Sequence, residues 1–396
     1  MSRYPDGYKS YSRSKPLTIE EFDQEKKWWG GAERRGRKTN EFAWKVSTAE
    51  IVDRNYNLDV VGQNPHRAEV HHGDPEELVA EYQRVVDEVQ LSQRTLKAEL
   101  MNSLQGHHLS QAAKMLERHF DNAFAAPDGI KKLRELILTL AIQGKLLSQT
   151  PSDPPASEIL REIERDKMRL IRDGKIKEPK PLPTVSPEER PYALPEGWEW
   201  VRMGDFTEIV RGITFPANEK TKEPGPGKIA CLRTTNVQKE LEWNDLLFID
   251  RKFMGRTSQI VRLNDIVMSM ANSRELVGKV AIVRKIPVAE STFGGFLGVI
   301  RTYRALPAYV HNVLNSRYAR NSLIESASQT TNIANVSLGK LNTFLVPFPP
   351  RQEQQRIVAK IDQLMSVCDT IEKQIDASRK MQSVLLDALM AQFEGQ

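Results

Sequence analysis

Residues 345–365, LVPFPPRQEQQRIVAKIDQLM, change grammar in the middle. Leu345 to Phe348 make an apolar run of strand length, and Pro349 and Pro350 end it, because neither can donate to a ladder. From Arg351 the pattern turns helical. Ile357, Ile361, Leu364, Cys368, Ile371 and Ile375 alternate by four and three, with Glu, Lys, Arg and Asp beside them, as in the seam of a coiled-coil helix. The seam weakens at Ser378 and Gln382 and resumes at Leu385 and Leu389, which predicts a rod about 50 Å long. A β-rich region therefore hands over to a rigid helix through a double proline.

Upstream of that junction the pattern is mixed. KIACLR (228–233), DIVMSM (265–270), GKVAIVR (278–284) and FLGVIRTY (296–303) are short β-branched runs separated by Gly, Asn and charged turns. LPAYVHNVLNSRYARNSLIESAS (306–328) inserts helix. Residues 197–350 are expected to form one α+β globule of about 150 residues. Before it, nine of the chain's 22 prolines fall between Pro151 and Pro195, the composition of a semi-rigid surface spacer. One amphipathic helix, SEILREIERDKMRLIRDG (157–174), interrupts that spacer and stops at Gly174.

Further helices are predicted over 109–124 and 128–147. DPEE supplies a helix start, with Asp74 as cap, Pro75 at the first helical position and Glu77 three residues after the cap. That helix is expected to run to Gly106. Its seam passes through Leu78, Tyr82, Val85 and Val89, then drifts through Leu96, Leu100 and Leu104. Residues 1–73 read as irregular and polar, anchored by Trp28, Trp29, Phe42 and Trp44. The expected division is 1–106, 107–196, 197–350 and 351–396, an α+β protein with a mixed globule flanked by long coiled-coil helices.

The charge is uneven. Residues 197–350 hold 20 Lys and Arg against 13 Asp and Glu, or +7, so the remainder carries −2 of the total +5. The basic excess lies where a polyanion would bind. Cys231 and Cys368 match neither a disulfide framework nor a zinc pattern, which fits a reducing cytoplasm. No apolar run reaches the roughly 20 residues needed to span a bilayer, and MSRYPDGYKS has no signal-peptide core.

Several strings invite an enzymatic reading. Asp6, Glu25 and Lys27 formally make the metal-binding string of a nuclease, but no strand pattern surrounds either part. EPGPGKI (223–229) lacks the upstream glycine and the hydroxyl after Lys228 that a phosphate-cradling loop needs. His71-His72 and His107-His108 are adjacent pairs without further ligands, so no metal site is expected. QNPHR (63–67) is not the loop with which amino-methyltransferases hold a flipped base, and no glycine-rich loop for S-adenosylmethionine is present. No catalytic constellation emerges.

Six stretches together resemble one half of a specificity subunit of a type I DNA restriction-modification enzyme. They are IKKLRELILTLAIQGKLL (130–147), PASEILREIERDKMRLIRDGKI (155–176), LPEGWEWVRMGDF (194–206), CLRTTNVQ (231–238), RELVGKVAIV (274–283) and FPPRQEQQRIVAKID (348–362). DGYKSYSRSKPLTIEEF (6–22), Trp28-Trp29, FAWKVS (42–47) and RNYNLDVVGQNPH (54–66) resemble the C-terminal tail of the methylation subunit of the same enzymes. The chain departs from the family by that added tail and by one recognition domain instead of two.

The resemblance implies a non-catalytic subunit that reads one half of a split site on double-stranded DNA. It also implies that helices set the spacing and carry methylation subunits, which bind S-adenosylmethionine, and through them restriction subunits. One recognition domain per chain suggests a homodimer on a palindromic, interrupted site. The seam Ile357–Ile375 is the candidate contact, the alternative being that it packs on the chain's own helix 130–147. Leu78, Tyr82, Val85, Val89 and Leu96 are expected to dock on the coiled coil in cis, or else to dock the methylation subunit. Base contacts are expected from Arg233, Asn236, Gln238, Asn272, Arg274 and Asn332, phosphate contacts from Arg211, Lys220, Lys222 and Lys279, and a further DNA contact from Thr234. A nuclease using Asp6, Glu25 and Lys27, or a coiled-coil adaptor whose globule binds protein, remain the other classes.

Overall fold

A computed structural model describes residues 22–29, 37–39, 44–53, 74–105, 111–125, 128–325, 329–330 and 333–394. The chain divides into two compact units, residues 1–79 with 384–396 and residues 80–383. In the first, two short helices, α1 (Asp23–Trp29) and α2 (Thr48–Asp53), lie in the stretch expected to be irregular. The Trp28 indole donates to the Lys38 carbonyl at 2.7 Å, and the Arg37 guanidinium lies 4.9 Å from the Trp29 ring centre. A capping box starts α2: the Glu50 N–H donates to the Ser47 hydroxyl, and the Ser47 N–H donates to the Glu50 carboxylate. Asp6, Phe42, both His pairs and the 54–66 stretch lie outside the described residues, as does Asn332.

Asp74 caps α3 (Pro75–Gln105) as expected, although its carboxylate accepts from the N–H of Glu76, not of Glu77. The other helices before the globule are α4 (Gln111–Ala125), α5 (Gly129–Ile142) and α6 (Ala156–Arg172). Helix α5 ends five residues before its sequence pattern does. Gly144 adopts φ +67°, and the Lys145 N–H turns back to the Leu140 carbonyl, closing the helix with a left-handed cap. A side chain at Gly144 would also collide with Pro195, so the cap is fixed by tertiary packing as well.

The globule starts with β1 (Glu199–Arg202), α7 (Met203–Phe206), β2 (Thr207–Arg211), β3 (Lys228–Leu232) and β4 (Leu247–Asp250). It continues with β5 (Ile266–Ser269), β6 (Ala271–Asn272), β7 (Val280–Ile282), β8 (Ser291–Phe293) and β9 (Leu297–Thr302). Helices α8 (Pro307–Leu314) and α9 (Arg317–Arg320) follow, then β10 (Gln329–Thr330), β11 (Ile333–Asn335), α10 (Leu338–Thr343), β12 (Leu345–Phe348) and α11 (Arg351–Glu394). An antiparallel sheet in the order β2-β9-β5-β7 forms the middle wall, with β4-β3-β8 and β10-β11-β6 as smaller sheets.

Both faces of the wall are buried along β5 and β7, so these strands read as nearly unbroken apolar runs, whereas β2 at the edge carries Glu208 and the exposed Arg211. Ile266, Met268, Val280, Ile282 and Ile300 join a core that continues into the helices. Val267, Ala281, Val299 and Leu297 face a second core with Leu232 and Phe293.

The first and last strands of the globule close it. β1 and β12 pair antiparallel, with Glu199 opposite Phe348 and Arg202 opposite Leu345. Trp198, just before β1, donates its indole N–H to the buried Glu353 carboxylate at 2.9 Å. Gln354 is fully buried. Its amide nitrogen donates to the Pro349 carbonyl at 3.0 Å, and its amide oxygen accepts from the Leu306 N–H at 2.9 Å. Tyr309 donates to the Pro347 carbonyl and Tyr318 to the Leu345 carbonyl.

The proline-rich stretch is strapped down more firmly than a spacer. Buried Arg202 donates to the carbonyls of Pro183 and Thr343 and to both carboxylate oxygens of Glu189. Tyr192 donates to the Ile142 carbonyl at 2.9 Å.

The seam of α11 is filled from within the chain. Ile357, Ile361, Leu364, Cys368 and Ile371 share one buried core with Leu133 and Ile137 of α5 and with Leu96 and Leu100 of α3. Their apolar surface is out of water within the chain, which is the packing on helix 130–147 set out above as the alternative to a dimer contact. Ile375 is half-buried. Helix α3 runs antiparallel to α11: Glu99 pairs with Lys360, while Tyr82 accepts from the Gln382 amide at 2.7 Å.

The anchor of α3 lies further along than its first seam suggests. Leu96, Leu100, Met101 and Leu104 are buried, whereas Tyr82, Val85 and Val89 are half-buried and Leu78 falls in the other unit. The Gln354 amide offers a direct test of the clasp. Gln354→Leu keeps the volume but orphans a carbonyl and an N–H, and is expected to cost about 2–4 kcal/mol in denaturant unfolding.

Candidate nucleic-acid interface

At one end of the middle wall the chain leaves β2 at Arg211, leaves β3 at Leu232 and turns from β8 into β9 through Gly294, Gly295 and Phe296. These exits enclose a cleft of about 500 Å³. Its floor is apolar, made by Ile213, Phe215, Leu247 and Leu297, and Arg211, Lys220, Arg233 and Thr234 line it as well. A smaller hollow of about 150 Å³ adjoins it, sharing Arg211 and Gly295 and backed by Asn335 to Leu338. Cys231 also lines the cleft. Burial pushes its thiol up to about 12, so it stays protonated and unreactive.

The cations of the cleft are not equivalent. Arg211 and Lys220 are exposed and form no ion pair among the described residues. Arg233 donates to the Asp245 carboxylate at 2.7 Å and to its carbonyl at 2.5 Å. Lys222 approaches the same carboxylate at 3.7 Å. The hydrogen bond and charge of Arg233, then the charge of Lys222, hold the Asp245 carboxyl below its ordinary range. Asp245 sits at φ +49°, a left-handed conformation that Asp tolerates better than most residues. It therefore presents an internal anion to two cations expected to meet phosphate or base.

Other expected contacts are placed elsewhere. Asn236 is buried: its amide oxygen accepts from the Arg233 N–H at 2.8 Å, and its amide nitrogen donates to the Asn244 carbonyl at 2.9 Å. Its role is to brace the loop, which corrects its assignment as a base contact. Gln238 accepts from Lys279 at 3.1 Å, and both line a separate cavity of about 770 Å³ shared with Arg134, Trp243 and Asp362. That cavity lies between the globule and the long helices, away from the cleft.

Asn272 spends its amide oxygen on the Ser273 N–H within β6, which pairs with β11. Arg274 is exposed, and its carbonyl accepts from Arg320 at 3.2 Å. The sequence reading missed Phe215 and Phe296, because Phe296 opened what looked like a strand. The only local signal was the glycine pair before it, in FGGF (293–296).

A family profile described as "Type I restriction modification DNA specificity domain" matches residues 195–378, which hold the globule, the cleft and much of α11. The type I restriction enzyme EcoAI specificity subunit of Escherichia coli is 31% identical over 304 residues, 74% of this chain and 50% of that protein. The type I restriction enzyme EcoEI methylase subunit of Escherichia coli is 46% identical over 82 residues, 20% of this chain and 16% of that protein. The chain spans about half the length of the specificity subunits it matches. The solved structure titled "Crystal structure of HsdS subunit from Thermoanaerobacter tengcongensis" aligns over 74% of this chain and 67% of its own at 16% identity. Its TM-score of 0.37 is too low to carry the fold.

The bracing role of Asn236 separates it from its neighbours in a measurable way. Asn236→Ala is expected to lower stability by about 2 kcal/mol in a denaturant titration, whereas Arg211→Ala leaves the midpoint unchanged.

Proposed function

We propose, from the premise that residues 195–378 are a type I restriction-modification DNA specificity domain, that this chain is the DNA-reading and scaffold subunit of such a system. The observation that carries this is the coincidence of that match with a clasped globule whose sheet end bears a basic cleft. Arg211 and Lys220 supply phosphate contacts, Thr234 and the exposed Arg274 reach bases, and Arg233 joins them when Asp245 yields.

The chain carries no catalysis of its own in this reading. Its helices hold methylation subunits, which bring S-adenosylmethionine, and restriction subunits attach through those. The system works in the cytoplasm. Among the described residues no helix is long and apolar enough to cross a membrane. A pair of such globules, brought together by surfaces other than the filled seam Ile357–Ile371, would read the two halves of a palindromic split site.

Three measurements test this. Light scattering of the chain with an intact methylation subunit is expected to give a particle containing two copies of each. A monomer that recruits none would overturn the scaffold role. Arg211→Ala and Lys220→Ala are each expected to lower the slope of log affinity against log salt by about one on any duplex. Arg274→Ala is expected to weaken specific binding more than non-specific binding, and equal loss on both would remove it from the base-reading set.

A further inference from the structure

The turn Gly294-Gly295-Phe296 is held on every side by backbone. The Gly294 N–H donates to the Leu232 carbonyl at 2.9 Å, and Ile213 donates to the Phe293 carbonyl at 2.9 Å. The Phe296 carbonyl accepts from Met270 at 2.8 Å. Gly212 lies so close that a Cβ there would sit 2.1 Å from the Gly294 carbonyl oxygen. The ends of β2, β3 and β5 thus fix the platform.

On that fixed platform the Phe296 side chain is 63% exposed. A single exposed aromatic is ordinary by itself. This one differs in its rigid mount and its setting, for it borders the apolar cleft of Ile213, Phe215 and Leu297, next to the unpaired cations Arg211 and Lys220. Rigid presentation lowers the ordering cost of binding, so the ring is preorganised for a partner.

Two free cations beside the slot call for a polyanion, and the apolar walls call for something flat and apolar. Duplex DNA offers both together when a base leaves its stack: the face of the base for the slot, the adjoining phosphates for the cations. An apolar peptide side chain would fill the slot but leave Arg211 and Lys220 unused. We propose that the cleft receives one unstacked base of the bound DNA, with Phe296 against its face and Arg211 and Lys220 on the flanking phosphates. This rests on the DNA-reading function and adds a site to it. The unstacked base is then a position at which sequence is sensed through the ease of unstacking.

The test uses the full chain and duplexes enriched by it from a random pool. A fluorescent base analogue is placed at each position in turn. Emission is expected to change on binding several-fold at one position and little at the others. Phe296→Ala should abolish that change, weaken binding roughly ten- to hundredfold, leave the salt slope intact and leave the thermal midpoint where it was. Phe296→Trp should retain affinity. Enrichment with no responsive position, or Phe296→Ala at wild-type affinity, would overturn the base slot and leave DNA reading standing. Loss of methylation-subunit recruitment by Phe296→Ala with DNA affinity unchanged would likewise overturn it, giving the slot to protein. No enrichment of any sequence would sink the DNA-reading function itself.

Discussion

The clasp between β1 and β12 is the constraint on which the rest of unit 80–383 depends. It brings together residues some 150 apart in sequence and makes entry and exit of the globule a single two-stranded ribbon. Two strands alone are marginal in water. Buried polar groups around the junction complete it: Glu353 accepts from Trp198, and Gln354 satisfies Pro349 and Leu306. Burial raises the Glu353 carboxyl above its ordinary range, opposed by the Trp198 hydrogen bond and then by Arg356. The cost of burying such groups is offset only in one geometry, which is how the double proline and the first turn of α11 acquire a fixed direction.

Ion pairs extend that fixed direction along the rods. Asp369 on α11 receives both Arg134 from α5 and Lys239 from the globule, at 2.5 and 3.1 Å. Burial works against its carboxylate, yet the hydrogen bonds from Lys239 and Arg134 prevail and hold it below its ordinary range. Arg304 reaches Glu162 and Asp166 on α6, and Arg356 pairs with Asp153. Exposed pairs of this kind add little stability singly, about 0–1 kcal/mol each. Their value is orientational: they keep the globule from swivelling on its helix.

Within the globule the same economy of charge governs the cleft. Asp245 engages Arg233 and Lys222, whereas Arg211 and Lys220 form no ion pair among the described residues. The basic excess of residues 197–350 is therefore unevenly available. In the proposed DNA-reading role, cations already satisfied internally would contribute only when phosphate or base displaces their carboxylate.

What the sequence determined by itself is what depends on neighbours in the chain. Periodicity placed β3, β5, β7, β9 and α11, and the Asp74-Pro75 start placed α3, because backbone propensity and side-chain spacing are local. The seam Ile357–Ile371 was equally legible, but the partner covering it was not. Only the tertiary structure decided that α3 and α5 fill it, that α5 stops at Gly144 against Pro195, and that Arg202 straps the proline-rich stretch down. In the site, Arg211, Lys220, Arg233 and Thr234 were legible as polar residues in loops. Asn236 turned inward and Phe296 outward, against the expectation from residue type. Phe296 turns outward because hydrogen bonds and glycine contacts from segments far apart in sequence fix its mount, whereas Asn236 turns inward through bonds to its near neighbours Arg233 and Asn244.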